Sequence, residues 1–354
     1  MQFNFTEEQQ AFADSVRRFA LAHLEMDTLK RAHDPRYPFD VAKLMSAQGL
    51  MGISLPEADG GQGGTLMDAV IAIEQVAAVC PRSADVVQFG NFGPIRTFAE
   101  YGTPQQKARW LPDLLQGRTV MSLGISEPDA GSAATDLKTS AKPDGSHYVI
   151  NGSKVFSTFS PDAAVFLIYV RYGPGLGGIG SVIVERGMPG FEIGPPSRFM
   201  SGEEWCELHF DNCRIPAENV LLGPGGFKKQ MAGFNIERLG NTARSLAFGR
   251  YAFNKAREHA STRQQFGRPL CEFQGLQWKF ADMAIKLEGA QLLLVQIMGG
   301  TGYSQESLVE WCMRRCRGWM IAGGSIEILK NRIAEHLFDR RFDQRRPKPA
   351  EAAE

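Results

Sequence analysis

Cysteine is scarce in this sequence: only six occur among 354 residues, and the closest pair, Cys312 and Cys316, stands one helical turn apart with no His or second Cys pair nearby. That spacing argues against a disulfide framework or a thiolate metal site, and ordinary thiols of a reducing compartment are expected. No P-loop, HExxH, nucleophile elbow or paired CxxC is present, which removes the chemistries those motifs carry. Net charge is also missing, since Lys plus Arg and Asp plus Glu both total 39. Bulk electrostatics therefore gives no footprint for nucleic acid or an anionic membrane, and any anion site must be local. No uninterrupted apolar run is long enough to span a bilayer, and Met1-Gln2-Phe3-Asn4 lacks a basic leader region. A cytoplasmic chain without metal, nucleic-acid partner or membrane insertion is the expectation.

What is present is a globular composition, 43% hydrophobic, on a chain long enough for two or three domains. Thr6 and Gln9 form a capping-box signature, after which Phe12, Val16, Phe19 and Leu24 recur on one helical stripe. A second stripe, Leu66, Val70, Ile73 and Ala77, follows the turn Gly60-Gly61-Gln62-Gly63-Gly64. From about Val120 the texture becomes β-like, with runs at Tyr148 to Ile150, Lys154 to Phe156, Ala164 to Arg171, Ser181 to Glu185 and Glu207 to Ile215. Asn151-Gly152 between the first two predicts a type I′ hairpin. Helical period returns with Leu239, Ala243 and Leu246, then Leu276, Phe280, Met283 and Leu287, then Leu329, Ile333 and Leu337. The expected fold is α+β and multidomain: a helical domain over 1–118, a small β-barrel or sandwich over 119–222, a helical bundle over 223–340 and a frayed tail over 341–354.

Gly175-Leu176-Gly177-Gly178-Ile179-Gly180 satisfies G-x-G-x-x-G, but a dinucleotide fingerprint opens a helix, whereas Ser181-Val182-Ile183-Val184 reads as another strand. A β-β loop is expected there.

Four scattered segments are more informative together. They are Ile125-Ser126-Glu127-Pro128-Asp129-Ala130-Gly131-Ser132, Ile150-Asn151-Gly152-Ser153-Lys154-Val155-Phe156-Ser157-Thr158, Arg263-Gln264-Gln265-Phe266-Gly267 and Gln296-Ile297-Met298-Gly299-Gly300-Thr301-Gly302-Tyr303. In this order they resemble the motifs of the acyl-CoA dehydrogenase family over nearly the whole chain. The resemblance implies an FAD enzyme acting on the α,β bond of a coenzyme A thioester. Leu123, Ile125, Ser126, Phe156 and Thr158 would face the flavin. Arg263, Gln265, Phe266, Gln296, Gly300, Ser325 and Glu327 would complete the FAD site, some from a neighbouring subunit of a homodimer or homotetramer. Ser132, Phe234, Arg238 and Gly323 would lie on the substrate side. Taken singly, Ser126 also reads as a strand end, Asn151-Gly152 as any turn and Gly299-Gly300 as a helix cap.

Many relatives of that kind carry the catalytic base in a Y-E-G-T-x-E-I loop. Here Ala322-Gly323-Gly324-Ser325-Ile326-Glu327-Ile328 puts Gly323 in its place. The isovaleryl- and long-chain-type branch uses an earlier helix, and Phe234-Asn235-Ile236-Glu237-Arg238 aligns Glu237 with that alternative base. A surface glutamate paired with Arg238 is the bland reading; the empty position at Gly323 favours catalysis, because proton abstraction needs a placed base. An electron-transferring flavoprotein is the implied acceptor. Reduction of an enoyl-CoA, desulfination, or a non-catalytic role on the same scaffold are the competing functions. Phe89, Phe92 and Leu123 are candidates for the acyl end, and equally for core packing. The direct joining of Leu292-Leu293-Leu294-Val295 to Gln296 leaves out roughly a helical hairpin relative to the family pattern.

Overall fold

A computed structural model of the chain describes residues 5–285, together with 311, 312, 314 and 315. The first stretch is helical: α1 Glu7–Leu24, α2 Thr28–His33, α3 Phe39–Ala47, α4 Leu66–Ala77, α5 Pro81–Asn91, α6 Pro94–Tyr101 and α7 Pro104–Leu115. Side-chain chemistry sets several of the starts. Thr6, Thr65 and Thr103 each form a capping box with Gln9, Asp68 and Gln106, and α5, α6 and α7 begin at a proline, whose missing N–H is harmless in a first turn.

Strands follow: β1 Met121–Gly124, β2 Ser140–Asp144, β3 His147–Thr158, β4 Val165–Arg171, β5 Ile179–Glu185, β6 Phe191–Ile193, β7 Ser197–Arg198, β8 Glu204–Pro216 and β9 Val220–Leu222. They form one nine-stranded sheet in the order β6-β8-β3-β2-β4-β5-β9, with β1 parallel to β4 and β7 on β8. Val165 to Val170 are all buried, as a strand covered on both faces requires. The G-x-G-x-x-G run spans the connection from β4 into the first two residues of β5, and these strands pair antiparallel, so it is a β-β connection.

The Asn151-Gly152 hairpin is a correction. β3 runs straight through both residues, and its pairing with β8 shifts register between Ile150 and Gly152. The reversal lies at Gly145-Ser146, where Asp144 pairs with His147 and Gly145 has φ 61°, the first position of a type II′ turn. Asn151-Gly152 is a bulge, a second use of a residue free to adopt φ 143°.

The chain then enters α8 Phe227–Thr262, a 36-residue helix, followed by the short hairpin of β10 Gln264–Gln265 and β11 Arg268–Pro269, and by α9 Gln274–Ile285. The stripe expected on α8 is corrected at one position: Ala243 is buried and Leu246 half-buried, but Leu239 is 43% exposed. Where α8 meets α5 and α6 its inward face is small, Gly240 and Gly233, and further on it carries Phe248 and Tyr251. Close approach is the cause: a Cβ on Gly240 would stand 2.1 Å from Gln88 Oε1 and 2.8 Å from the Phe92 ring. α8 thereby lies directly against α5. Gly240→Ala is expected to destabilise the fold by about 1–3 kcal/mol through overpacking, read as a lowered denaturant midpoint with an unchanged slope.

Candidate active site

Three groups of expected site residues are placed by the described structure. The first gathers at β1 and β3. Glu127 leaves the end of β1, and its carboxylate is the anchor of the Ser126–Ser132 segment: Oε2 accepts from Lys138 N (2.6 Å), while Oε1 accepts from Thr139 N (2.9 Å) and Lys154 Nζ (2.7 Å). Lys154 is wholly buried and also donates to Ile125 O (3.3 Å). Burial pulls its pKa down to about 8, against the opposing pull of Glu127. Burial would raise the Glu127 carboxyl, but the Lys154 charge and the surrounding donors outweigh it and hold the group below its ordinary range. Val155 N donates to Ser126 O (2.9 Å), and the Ser122 hydroxyl to Thr158 O (2.8 Å), so β3 holds the backbone of Ser126 and β1 that of Thr158.

Phe156 stands out beside them. It is 57% exposed, with φ 60°, where β3 changes register against β8. A non-glycine side chain in left-handed backbone is uncommon, and such strain concentrates where function demands it. Its ring leans on Trp205 (4.7 Å between centroids) and Phe199 (6.4 Å). Leu123 and Ile125 are half-buried, and Ser132 lies exposed in the loop.

The second group surrounds Glu237 on α8. Its carboxyl carbon lies 3.6 Å from where a Cβ on Gly93 would sit, at the α5–α6 corner. Phe234, one turn earlier, meets the edge of Tyr169 on β4 (6.4 Å), and Tyr169 itself is buried. Glu237 is therefore at the junction of the two helical parts and the sheet. It retains some accessible surface, yet desolvation dominates and raises its pKa, against Arg244 and Arg238, which lower it. Arg238 donates to Asn235 Oδ1 (2.6 Å) and its guanidinium sits 5.9 Å from the Phe234 ring.

The third group, Arg263, Gln265 and Phe266, forms the hairpin after α8, with Phe266 at φ 50° and 94% exposed. Gln265 and Phe266 line an apolar cleft of about 560 Å³ with Leu270, Phe273 and Leu276. The structure does not bring this hairpin to Glu237: at ~1.5 Å per residue, α8 separates Arg263 from Glu237 by about 39 Å. Phe92 is core, and Phe89 packs on Phe159 and Tyr37, which accords with packing at both positions. Gln296, Gly300, Gly323, Ser325 and Glu327 lie outside the described residues, as do the Leu329 stripe and the short Leu294-to-Gln296 connection.

Sequence reasoning missed a buried charge cluster behind Glu237. Asp85 on α5 is met by Arg82 Nη1 (3.0 Å), Arg244 Nη1 (2.6 Å) and Arg315 Nη2 (3.3 Å), and Glu203 lies 2.9 Å from Arg315 Nε. Its only sequence signal was Arg82 and Asp85 one turn apart in an otherwise apolar stretch. Among the described residues no helix is long and apolar enough to cross a membrane, and no group of His, Cys, Asp or Glu is arranged to hold a metal ion.

Comparison with known proteins gives concordant matches. Family models described as the N-terminal, middle and C-terminal domains of acyl-CoA dehydrogenase match residues 6–118, 122–213, and 224–297 with 293–338. The last match comes in two pieces that meet at the Leu294-to-Gln296 junction. The chain is 31% identical to a short-chain specific acyl-CoA dehydrogenase of Clostridium acetobutylicum, over 96% of this chain and 100% of that one. It is 31% identical to a 3-sulfinopropanoyl-CoA desulfinase of Variovorax paradoxus, over 97% and 98%. A solved butyryl-CoA dehydrogenase of Megasphaera elsdenii superimposes with a TM-score of 0.87 at 28% identity, covering 96% of this chain and all of that one.

Proposed function

This chain belongs to the acyl-CoA dehydrogenase family, whose members are oxidoreductases that use FAD, and from that premise we propose that it removes hydrogen from the α,β bond of an acyl-CoA thioester. Glu237 is the base for the α proton. The observation that carries this reading is the desolvated Glu237 carboxyl at the corner of α5, α6, α8 and the sheet. Its raised pKa makes the carboxylate a stronger base than an exposed glutamate. FAD, when bound, supplies the hydride acceptor for the β carbon.

The chain's own residues account for the rest. Phe156 offers an open aromatic face, backed by Trp205, against which a planar ring packs, and this fits the cofactor better than it fits solvent. Ser126 and Thr158 supply polar groups beside it, where negative charge gathers on reduction. The Glu127–Lys154 pair fixes the loop that carries Ser126. Phe234 and Tyr169 exclude water on the far side of Glu237, with Ser132 and Arg238 on the coenzyme A side. The backbone N–H of Gly323 polarises the thioester carbonyl. The separation of Arg263, Gln265 and Phe266 from Glu237 supports a homo-oligomer in which that hairpin serves a neighbour's cofactor, joined by Gln296, Gly300, Ser325 and Glu327. Electrons then pass to an electron-transferring flavoprotein.

Anaerobic titration of the purified flavoprotein with a panel of acyl-CoA thioesters tests the reading: at least one saturated thioester bleaches the flavin, and failure of every member contradicts it. Desulfination is the second reading, favoured by the desulfinase relative; it releases a leaving group without net acceptor turnover, whereas dehydrogenation reduces an artificial acceptor steadily, and an enoyl-CoA reductase runs the other way. Phe156→Gly separates site from scaffold. Glycine accepts φ 60° without strain, so thermal stability of the apoprotein should hold or rise by about 1 kcal/mol while flavin dissociates faster in dilution. Equal flavin retention would remove Phe156 from the cofactor face.

A further inference from the structure

On α8, Glu237, Asn241 and Arg244 follow one another at helical spacing along a single face. Asp85, Gln88 and Gly93 line the opposing seam. Asn241 Oδ1 ties Arg244 to α5, accepting from Arg244 Nη2 (2.6 Å) and from Gln88 Nε2 (3.5 Å). Among the described residues Arg244 thus stands between two carboxylates: Asp85, which it touches at 2.6 Å, and Glu237, two turns back along its own helix. We propose that Asp85 is a positioning residue for the base, holding the Arg244 guanidinium against α5 and so setting how much of its charge reaches the Glu237 carboxyl.

This rests on the assignment of Glu237 as base, and asks what sets its strength. Among the described residues, the charged and titratable groups around Glu237 are few. α8 contributes Arg238 and Arg244 and β4 the Tyr169 phenol; behind Arg244 stand Asp85 and Arg82 of α5, with Glu203 and Arg315 beyond them. Arg96 on α6 turns away to Ser54 O. Arg238 donates to Asn235, whereas Arg244 is held by a second carboxylate, Asp85, on the facing helix. The two α carbons are about 10 Å apart along the helix, at which a unit charge shifts a carboxyl by about one pH unit in a partly desolvated site.

The test is an infrared pH titration of the Glu237 carboxyl in the full, flavin-loaded chain, its protonated C=O band identified by loss in Glu237→Gln. In Arg244→Met the midpoint should rise by about one unit, and in Arg244→Lys it should stay near the parent's. In Asp85→Asn it should fall by a similar amount. Asp85→Asn with Arg244→Met should return it toward the parent's, and this charge-compensated pair keeps the test alive if Asp85→Asn alone does not fold. A midpoint unmoved by Arg244→Met, or a double variant no closer to the parent than Arg244→Met, overturns the proposal and leaves the cluster a purely structural clasp. No turnover is needed, so failure of Glu237 as base, seen in flavin bleaching, is a separate result.

Discussion

The Glu237→Gln protein is expected to fold, retain flavin and bleach at least about 10²–10⁴-fold more slowly with an acyl-CoA that reduces the parent anaerobically. Its stability should match or exceed the parent's. The sign follows from the raised pKa. Between the ordinary carboxylate value and the higher folded one, the unfolded chain has released a proton that the folded chain still holds, so stability falls as pH rises through that window. Above the folded value the penalty is fully present, and the uncharged amide escapes it. Parental activity should rise with pH through the same folded pKa, because only the carboxylate accepts the α proton, and in Glu237→Gln that acid limb should vanish. A variant that loses activity together with stability, or keeps full-rate bleaching, would count against a catalytic carboxyl built at the expense of the fold.

Lys154→Met should be the most damaging single substitution to the flavin side. The ammonium is wholly buried and meets Glu127, itself 7% exposed, at 2.7 Å. Removing the cation leaves a buried carboxylate against the Lys138 and Thr139 amides with no counter-charge, a change that typically costs about 3–5 kcal/mol. The same pair predicts a pH dependence. With its pKa held below the ordinary range, Glu127 contributes stability that is present above the ordinary carboxylate value and lost as pH falls through the lower folded one. Denaturant unfolding of the parent between neutral and acid pH should show this loss, and Lys154→Met should lack it. The Ser126 segment should loosen in the variant, with faster flavin release. Lys154→Met with Glu127→Gln should recover part of the stability, since an unpaired charge is worse than a neutral pair.

How legible this was in the sequence depended on whether the deciding interaction was local. Thr6 with Gln9 fixed a helix start because the capping contacts span three residues. The β runs at Ala164 to Arg171 and Ser181 to Glu185 were readable because strands buried on both faces are continuously apolar. Asn151-Gly152 misled because the same residues suit a bulge as well as a turn, and only pairing with β8, some sixty residues on, decides between them. α8 misled because it meets α5 and α6 through Gly240 and Gly233, so large apolar side chains mark its inner face further on, at Phe248 and Tyr251, rather than at Leu239. Glu237 was found by alignment of a motif, and its desolvation became visible only when Gly93 and Tyr169 were brought beside it. The Asp85 cluster was hidden altogether: Arg82 and Asp85 resemble solvated helix charges until Arg244, 159 residues away, closes over them.

Exchange at the α carbon tests the role of Glu237 most directly. When the parent is incubated anaerobically in D₂O with an acyl-CoA that bleaches it, deuterium should enter the α position of recovered thioester, as seen by mass spectrometry. Glu237→Gln, loaded with flavin and binding the same thioester, should incorporate none above the enzyme-free control. Parental exchange in that variant would mean that another group takes the proton.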